Sequence, residues 1–357
     1  MDYIIIGQGI CGTFLSWNLL KAGKKLIVID EPQPHSSTKV AGGIINPVTG
    51  RRVVATWMIE KLLPFAWDAY TSIGRDIDEL IIEQKNTVAF SPSQQMFETY
   101  SKRANEANTY IQQLPEAEER YHQWFNFSYP AYIINPTYLI YLYPLLNGWR
   151  KKLIETNSLL KEKFDDSQLI IHQSHVKYKN ITAGKIIFCS GVDTFQNPYW
   201  KNLPYVFNKG QALIADIPLL PSNCIYKYGT ITLTPWYNNL WWIGSSYEND
   251  FVTTAPTEDF YKNIVGSLRN ILKIPLTIKD HFSALRPAVI ERRPFVGLHP
   301  NYASVGIFNG MGTKGCSLAP YFAHQLTQYL LNNIAIDPLA DVKRFSGILS
   351  HKNSAKK

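Results

Sequence analysis

An α/β fold with two unlike sheets is predicted: a parallel, helix-wound sheet of Rossmann type, interrupted by an inserted domain on a mixed or antiparallel sheet. Three observations predict it. The apolar run Tyr3-Ile4-Ile5-Ile6 leads straight into the three glycines of GQGICG, Gly7, Gly9 and Gly12. A second apolar run, 25–29, ends in Asp30, about 20 residues further on, the spacing of a dinucleotide-binding βαβ unit. Between Gly210 and Trp242 the chain alternates and is rich in β-branched and aromatic residues, which reads as antiparallel strands rather than further βαβ units.

Each element follows in order. Gly7 allows a tight turn after the first strand, Gly9 lets a pyrophosphate approach the main chain, and Gly12 lets the next helix pack close to the strand. That helix is expected over 11–22 with Gly23 past its end, and the N–H groups of Ile10 and Cys11 at its start face the anion. Asp30, with Glu31 beside it, places carboxylate at the adenosine ribose hydroxyls. The stretch Glu31-Pro32-Gln33-Pro34 suits neither a helix nor a central strand, and Ala41-Gly42-Gly43 forms a loop of small residues. Helices are expected over 58–73 and 98–111. A third, opened by Asn135-Pro136-Thr137, runs through 139–152 with Pro144 as an obstacle. Strands follow at 159–164 and 185–188, the latter ending in Cys189-Ser190-Gly191, and then at 212–214, 229–233 and 240–243. A helix over 257–272, strands at 281–287, 295–298 and 305–308, and a helix over 317–331 complete the pattern. The tail 350–357 is expected to fray. Residues 1–50, 136–200 and 286–357 are assigned to the nucleotide domain, and 51–135 and 201–285 to the inserted one.

Size and composition narrow the class. A chain of 357 residues holds two domains with their own cores, and 45% hydrophobic residues exclude a disordered chain. No apolar run approaches the roughly 18 residues of a membrane span. A secretory signal is not expected, because the first strand of the nucleotide fold begins at Asp2 or Tyr3. Cys11, Cys189, Cys224 and Cys316 form no CxxC pair, so neither zinc nor a disulfide framework is expected and a cytoplasmic location is. His172 and His175 form HxxH on a segment of strand character, where that spacing sends them to opposite faces; no metal site is expected. The net charge of +8 falls in short basic groups such as Arg51-Arg52 and Arg150-Lys151-Lys152. Such groups read either as solvated faces or as a surface for a polyanion such as tRNA. The oligomeric state is left open.

Four segments together resemble the D-amino-acid oxidase superfamily of FAD-dependent oxidoreductases, which includes glycine and sarcosine oxidases. They are GQGICG with Asp30; SSTKVAGGIINP; IIFCSG; and LRPAVIERRPFVG with NGMGTKGCSLAP. Parts of the chain, WWIGSSYEND among them, are also similar to the oxidase half of a bifunctional bacterial tRNA wobble-uridine modification enzyme; the 357 residues leave no room for its fused methyltransferase. The resemblance implies a Rossmann-type FAD-binding domain and FAD, held noncovalently, as cofactor. It places Ala41, Gly42 and Gly43 beside the flavin, Phe164 against the adenine, and Cys189, Ser190 and Gly191 behind the pyrophosphate. The last turn also reads as a plain strand end. The loop Gly310, Gly312, Thr313, Lys314, Gly315 and Cys316 would lead a helix N-terminus to the negative charge of a reduced flavin. Lys314 adds a full charge there or remains solvated.

Arg286, in the LRP strand, is the substrate-side candidate by the same resemblance. A guanidinium offers two parallel charge-assisted bonds to a carboxylate. The alternative is a structural pairing with Glu291 or Asp280. Arg292 and Arg293 mark either a more acidic substrate or plain surface, and Tyr226, Tyr228, Trp236 and Tyr237 are candidates for the pocket lining. The implied activity is oxidation of a small amine or amino acid by hydride transfer to flavin N5, giving an imine that hydrolyses. The alternatives are demodification of a carboxymethylaminomethyl-type group on tRNA and a non-catalytic flavin-binding protein.

Overall fold

The computed structural model of the chain describes residues 1–350 apart from 51, 108, 115 and 116. The first strand, Tyr3–Ile6, is buried along its whole length because both of its faces are covered. Tyr3 and Ile5 enter one apolar cluster, Ile4 and Ile6 another, as alternation across a strand requires. A continuous apolar run is the sequence of a strand covered on both sides. Tyr3–Ile6 pairs in parallel with Leu26–Ile29 on one side and Lys185–Phe188 on the other. The six-stranded sheet runs in the order Leu159–Leu160, Leu26–Ile29, Tyr3–Ile6, Lys185–Phe188, Val305–Asn309, Phe295–Leu298, and the last strand joins antiparallel.

Six helices serve the architecture: α1 (Ile10–Lys21), α2 (Ile59–Ile77), α3 (Gln94–Ala104), α4 (Leu142–Glu155), α5 (Glu258–Ile271) and α6 (Gly315–Asn332). One cluster unites α1, α2, α4 and α6 on one face of the parallel sheet, with Phe14, Tyr70, Leu145 and Phe322 fully buried in it. Phe14 and Tyr70 meet edge to face with centroids 5.0 Å apart, the arrangement aromatic quadrupoles favour.

The second sheet has eight strands in the order Thr277–Val289, Tyr205–Asp216, Trp241–Gly244, Ile231–Pro235, Ile225–Tyr228, Thr87–Phe90, Tyr132–Ile134, Ile111–Gln113. It is mixed: Ile225–Tyr228 runs parallel to Thr87–Phe90, and its other neighbours pair antiparallel. Leu213, Tyr226, Leu233 and Ile243 form one apolar face with Leu268 and Ile271 of α5. Ala212 and Trp242 belong to the opposite face.

Several expected elements are corrected. The helix expected over 98–111 occupies Gln94–Ala104, because Ser93 caps it, its Oγ accepting from Met96 N–H at 3.4 Å, and 111–113 is a strand of the large sheet. Pro136 opens no helix: Tyr138–Ile140 is a strand, and α4 begins at Leu142. Pro144 is its third residue, where an N–H would have no helical acceptor, so the supposed obstacle is harmless. The strand expected over 159–164 stops at Leu160. His172 and His175 lie between the strands Leu169–Ile171 and Val176–Tyr178. Their rings stack with centroids 4.3 Å apart instead of pointing to opposite faces, because the chain turns between them.

Candidate active site

A cavity of about 930 Å³ begins where Tyr3–Ile6 and Lys185–Phe188 end and reaches the large sheet at Ala212, Trp242 and Arg286. The three glycines at its floor do three different things. Gly7 has φ +93°, and a Cβ there would lie 2.8 Å from Cys189 O. A Cβ on Gly12 would lie 1.9 Å from Gly7 O, so α1 packs directly on the turn. Gly9 differs: its Cβ would meet only Thr38 Oγ1, at 3.5 Å, and Gly9 lines the cavity. The space a side chain would take at Gly9 is left open. Ile10 N–H donates to Thr38 Oγ1 at 3.3 Å, and the N-cap residue of α1, Gly9, has no side chain to cap the other N–H groups of the turn. Its first turn therefore presents donors and a positive dipole end to that space.

At the next strand end the Asp30 carboxylate accepts from Gln8 N–H at 2.8 Å and from Arg150 Nη1 at 2.6 Å. Arg150 also donates to Gln8 Oε1 at 2.9 Å. Its side chain is 17% exposed, far from the solvated face its place in a basic run suggests. Leu142, Leu146 and Arg150 all line the cavity, one stripe of α4 at helical spacing. Neither Gln8 nor Arg150 stood among the expected site residues. The legible signal was that Arg150 continues the Leu142, Leu146 stripe.

Glu31, Ala41, Gly42, Gly43, Phe164, Cys189, Ser190 and Gly191 all reach the same cavity, as do Ile10, Cys11 and Asp30. Gly43 has φ +70°, and a Cβ there would stand 2.1 Å from Ile140 O. Trp242 closes over Gly42, its Nε1 donating to Val40 O at 3.0 Å. Asn309, which sequence reasoning missed, ties two loops together: its Nδ2 donates to Gly191 O at 2.7 Å and its Oδ1 accepts from Gly310 N–H at 2.8 Å. Gly312, Thr313, Gly315 and Cys316 line the far end of the cavity, where α6 starts without a side-chain cap or a first-turn acid.

Three expected residues do not line it. Gly12 is used in packing. Gly310, at φ +80°, faces Val289. Lys314 turns away, its Nζ 3.5 Å from Thr56 Oγ1, and burial pushes its pKa down to about 8. Burial drives the Cys11 and Cys189 thiols well up and that of Cys316 to about 12, so all three are held as thiols.

Arg286 lines the cavity at the sheet. Its Nη1 donates to Asn208 Oδ1 at 2.6 Å and Ser246 O at 3.0 Å, and its Nη2 to Ser245 Oγ at 2.9 Å. Gly210 permits this, since a Cβ there would fall 2.0 Å from Nη2. The structural pairings considered for it are absent among the described residues: Glu291 pairs with Arg344, and Asp280 accepts from His281 N–H. Arg292 and Arg293 stay outside the cavity lining; Arg293 covers Trp57 at 4.1 Å. The aromatic candidates are corrected as well. Tyr226 and Tyr228 pack on the opposite face of the large sheet; Trp236 packs on the cavity-side face with Ala212 and Trp242 and against Tyr237, and the Tyr237 hydroxyl accepts from Tyr143 N–H.

Known proteins place this geometry. The family model described as DAO, FAD dependent oxidoreductase, matches residues 2–329. The chain is similar in structure to iminodiacetate oxidase from Chelativorans sp. BNC1, with 18% identity, a TM-score of 0.79, and coverage of 95% of this chain and 97% of that one. It is similar likewise to glycine oxidase from Bacillus cereus ATCC 14579, with 14% identity, a TM-score of 0.76, and coverage of 94% and 96%. A 56-residue stretch is 38% identical to an uncharacterized oxidoreductase of Bacillus subtilis (strain 168), a match that spans 16% of this chain and 15% of that relative.

Proposed function

We propose, for a chain that belongs to the DAO family of FAD-dependent oxidoreductases, that it oxidises a small amine or amino acid whose carboxylate is received by Arg286. The cavity suits FAD on its own terms. The side-chain-free space at Gly9, the start of α1 and the acceptor Asp30 all line it, the groups that meet pyrophosphate and ribose in a dinucleotide site. Asp30, braced by Arg150, would take the ribose hydroxyls, and the uncapped α6 would face the electron-accepting end. Bound FAD supplies the two-electron acceptor that amine oxidation requires. In this reading it is held without a covalent bond.

The observation that carries the substrate assignment is Arg286 itself. It is a mostly buried guanidinium at the cavity wall, with four neutral acceptors and no carboxylate within 4 Å among the described residues. A buried cation satisfied only by neutral groups retains affinity for an anion. The protein's remaining task is to orient the substrate and exclude water, and no residue is required as a strong general base.

Anaerobic mixing of the yellow holoprotein with a panel of amines, amino acids and unfractionated tRNA tests this. Bleaching of the flavin by a carboxylated amine, and not by the same amine without its carboxylate, is the expected result. A flavin reduced by none of them would leave a flavin-binding protein without this activity. A second reading, action on a carboxymethylaminomethyl group of tRNA, is supported by a separate cleft of about 930 Å³ lined by Arg52, Lys102 and Arg103. Salt separates the two: a tRNA substrate loses affinity steeply between about 50 and 200 mM salt through counterion release, and a free amino acid does not.

A further inference from the structure

Resting on that reading, we propose that Glu248 is a positioning residue for substrate binding: from the far face of the large sheet its carboxylate fixes segment 245–249, which aims the Arg286 guanidinium. The two faces of the strand Tyr205–Asp216 carry the two halves of this arrangement. Ala212 and Ile214 enter the cavity-side cluster, and Leu213 and Ala215 the cluster shared with α5. By the same alternation Asn208 and Gly210 stand on the cavity side and Lys209 and Gln211 on the far side. Arg286 is the register partner of Asn208 and crosses the strand at Gly210, where a Cβ would meet Nη2. Gly210, Ser245 and Arg286 all line the cavity. Two of the four acceptors of Arg286, Ser245 Oγ and Ser246 O, belong to segment 245–249. A third, Asn208 Oδ1, sits on an amide whose Nδ2 donates to Glu248 O at 3.2 Å and to Asn249 Oδ1 at 3.0 Å. Nη1 is fully engaged by Asn208, Ser246 and Lys209 O, and Nε has no hydrogen bond among the described residues. A carboxylate is therefore left the edge formed by Nε and Nη2. That edge keeps its direction only while segment 245–249 keeps its place.

Apolar packing does not hold that segment. Ser245, Tyr247 and Asn249 are exposed, and among the described residues none of 245–249 joins an apolar cluster. Hydrogen bonds hold it instead. Ser246 N–H donates to Gln211 O at 3.1 Å and Glu248 N–H to Lys209 O at 3.0 Å, with Lys209 N–H returning a bond to Glu248 O at 2.8 Å. Glu248 adds a side-chain tie on the far face. Its Oε1 accepts from Gln211 Nε2 at 2.8 Å, and its Oε2 stands 3.8 Å from Lys209 Nζ. Gln211 is anchored in turn at the start of α5, where Thr257 N–H donates to its Oε1 at 2.7 Å. Lys209 is fully buried, its Nζ has no hydrogen-bond partner, and Glu248 is its one carboxylate within 4 Å among the described residues. A buried cation so placed draws the carboxylate toward the sheet, because no other group within that distance offsets its charge. The same carboxylate acts on Arg286. Burial lowers the Arg286 pKa, and Tyr247 and Glu248 act in the other direction. An ion pair set this deeply adds little to stability in itself; what it adds is a fixed place for segment 245–249.

The test uses FAD-loaded protein and the unreactive acids acetate and propionate, titrated through perturbation of the flavin absorbance band. Glu248→Ala alone would leave Lys209 unpaired, so it is combined with Lys209→Met, which removes the whole pair. In that double variant acid affinity should fall about ten-fold or more, and in Glu248→Gln, which keeps the Gln211 hydrogen bond, about three-fold. FAD content should match the wild type, and in turnover of a carboxylated amine KM should rise with kcat nearly unchanged. In the apoprotein the amides of residues 246 and 248 should exchange hydrogen faster. One arm separates positioning from support of the fold: on an Arg286→Met background the double variant should cost no further acid affinity. A loss equal in size on both backgrounds overturns the positioning role, as does wild-type affinity in the double variant or loss of bound FAD. If the double variant does not fold, wild-type acid affinity in Glu248→Gln overturns it alone. The two levels fail separately. If acids bind through Arg286 and Glu248 and no amine bleaches the flavin, the positioning role stands and amine oxidation does not. If carboxylated amines bleach the flavin and acid affinity ignores Glu248, the proposed function stands and the positioning role does not.

Discussion

Gly9 and Gly12, three residues apart, are expected to respond oppositely to the same substitution. Gly9→Val places its side chain in open space lined by Thr38, and the Gly9 backbone is extended at φ −75° and ψ −167°, which valine adopts freely. The variant should fold and melt like apoprotein yet bind no FAD, as read from flavin content and a thermal scan. Gly12→Val drives its Cβ into Gly7 O and should not yield folded protein. A flavin-loaded Gly9→Val would show that the phosphates lie elsewhere. Arg286→Met should leave the flavin spectrum unchanged and cost roughly 2–5 kcal/mol in kcat/KM for carboxylated amines, since it leaves one member of a desolvated pair alone. Arg286→Lys should recover part of that, because an ammonium lacks the bidentate fork. Lys314 gives a third test. Its pKa is lowered to about 8 from 10.5, so between these values the unfolded state binds more protons and stability rises with pH. Lys314 should therefore contribute up to about 3 kcal/mol across that window, read as the difference between apoprotein and Lys314→Met in parallel urea titrations, since the buried Cys11, Cys189 and Cys316 thiols act in the opposite direction in both proteins. At this scale the glycine motif was legible, because each glycine answers to a backbone constraint. The side taken by Tyr226 and Tyr228 was not: nothing in Tyr226-Lys227-Tyr228 says which face of the strand is buried against α5.

For single elements, α4 shows where the sequence speaks and where it does not. Its apolar residues Leu142, Leu145, Leu146, Trp149 and Leu153 are buried and were readable as one face. Its start lies beyond the point the sequence suggests, because the first-turn proline is Pro144 and not Pro136. Arg150 was hidden for a different reason: a cation followed by two lysines resembles solvated surface, and only the helix's position over Asp30 buries it. We expect Arg150→Met to weaken FAD binding by one to two decades, equivalent to roughly 1.5–3 kcal/mol for a hydrogen bond to a charged group. FMN, which lacks the adenosine, should bind both proteins alike. Parallel loss of FMN and FAD affinity, in equilibrium dialysis, would mean that Arg150 acts on the fold and not on Asp30. The large sheet shows the same limit. Its strands were legible from alternation, but Tyr226 and Tyr228 pack on the far face, because alternation fixes two faces without labelling them.

Across the whole molecule, the cavity is walled by both sheets, and its walls come from segments near residues 9, 30, 42, 150, 190, 286 and 315. A ligand there binds the folded state alone. FAD at a hundred times its dissociation constant should add about 2.7 kcal/mol of stability, measurable as a rise of about 3–4 °C in Tm. Residues 31–43 line much of the cavity and should become resistant to limited proteolysis when flavin is present. An unchanged Tm and cleavage pattern would contradict the placement of the ligand between the sheets. The scattering of those walls also has a consequence for biosynthesis. Gly9 and Gly315 are separated by roughly 300 residues, or about 15–60 s of translation at 5–20 residues per second. Until the last of them leaves the ribosome the cavity lacks part of its wall, however long the N-terminal glycine turn has been waiting. Flavin scarcity in the cell therefore acts on a finished apoprotein, and the nascent chain folds through its early stages without a cofactor to template it.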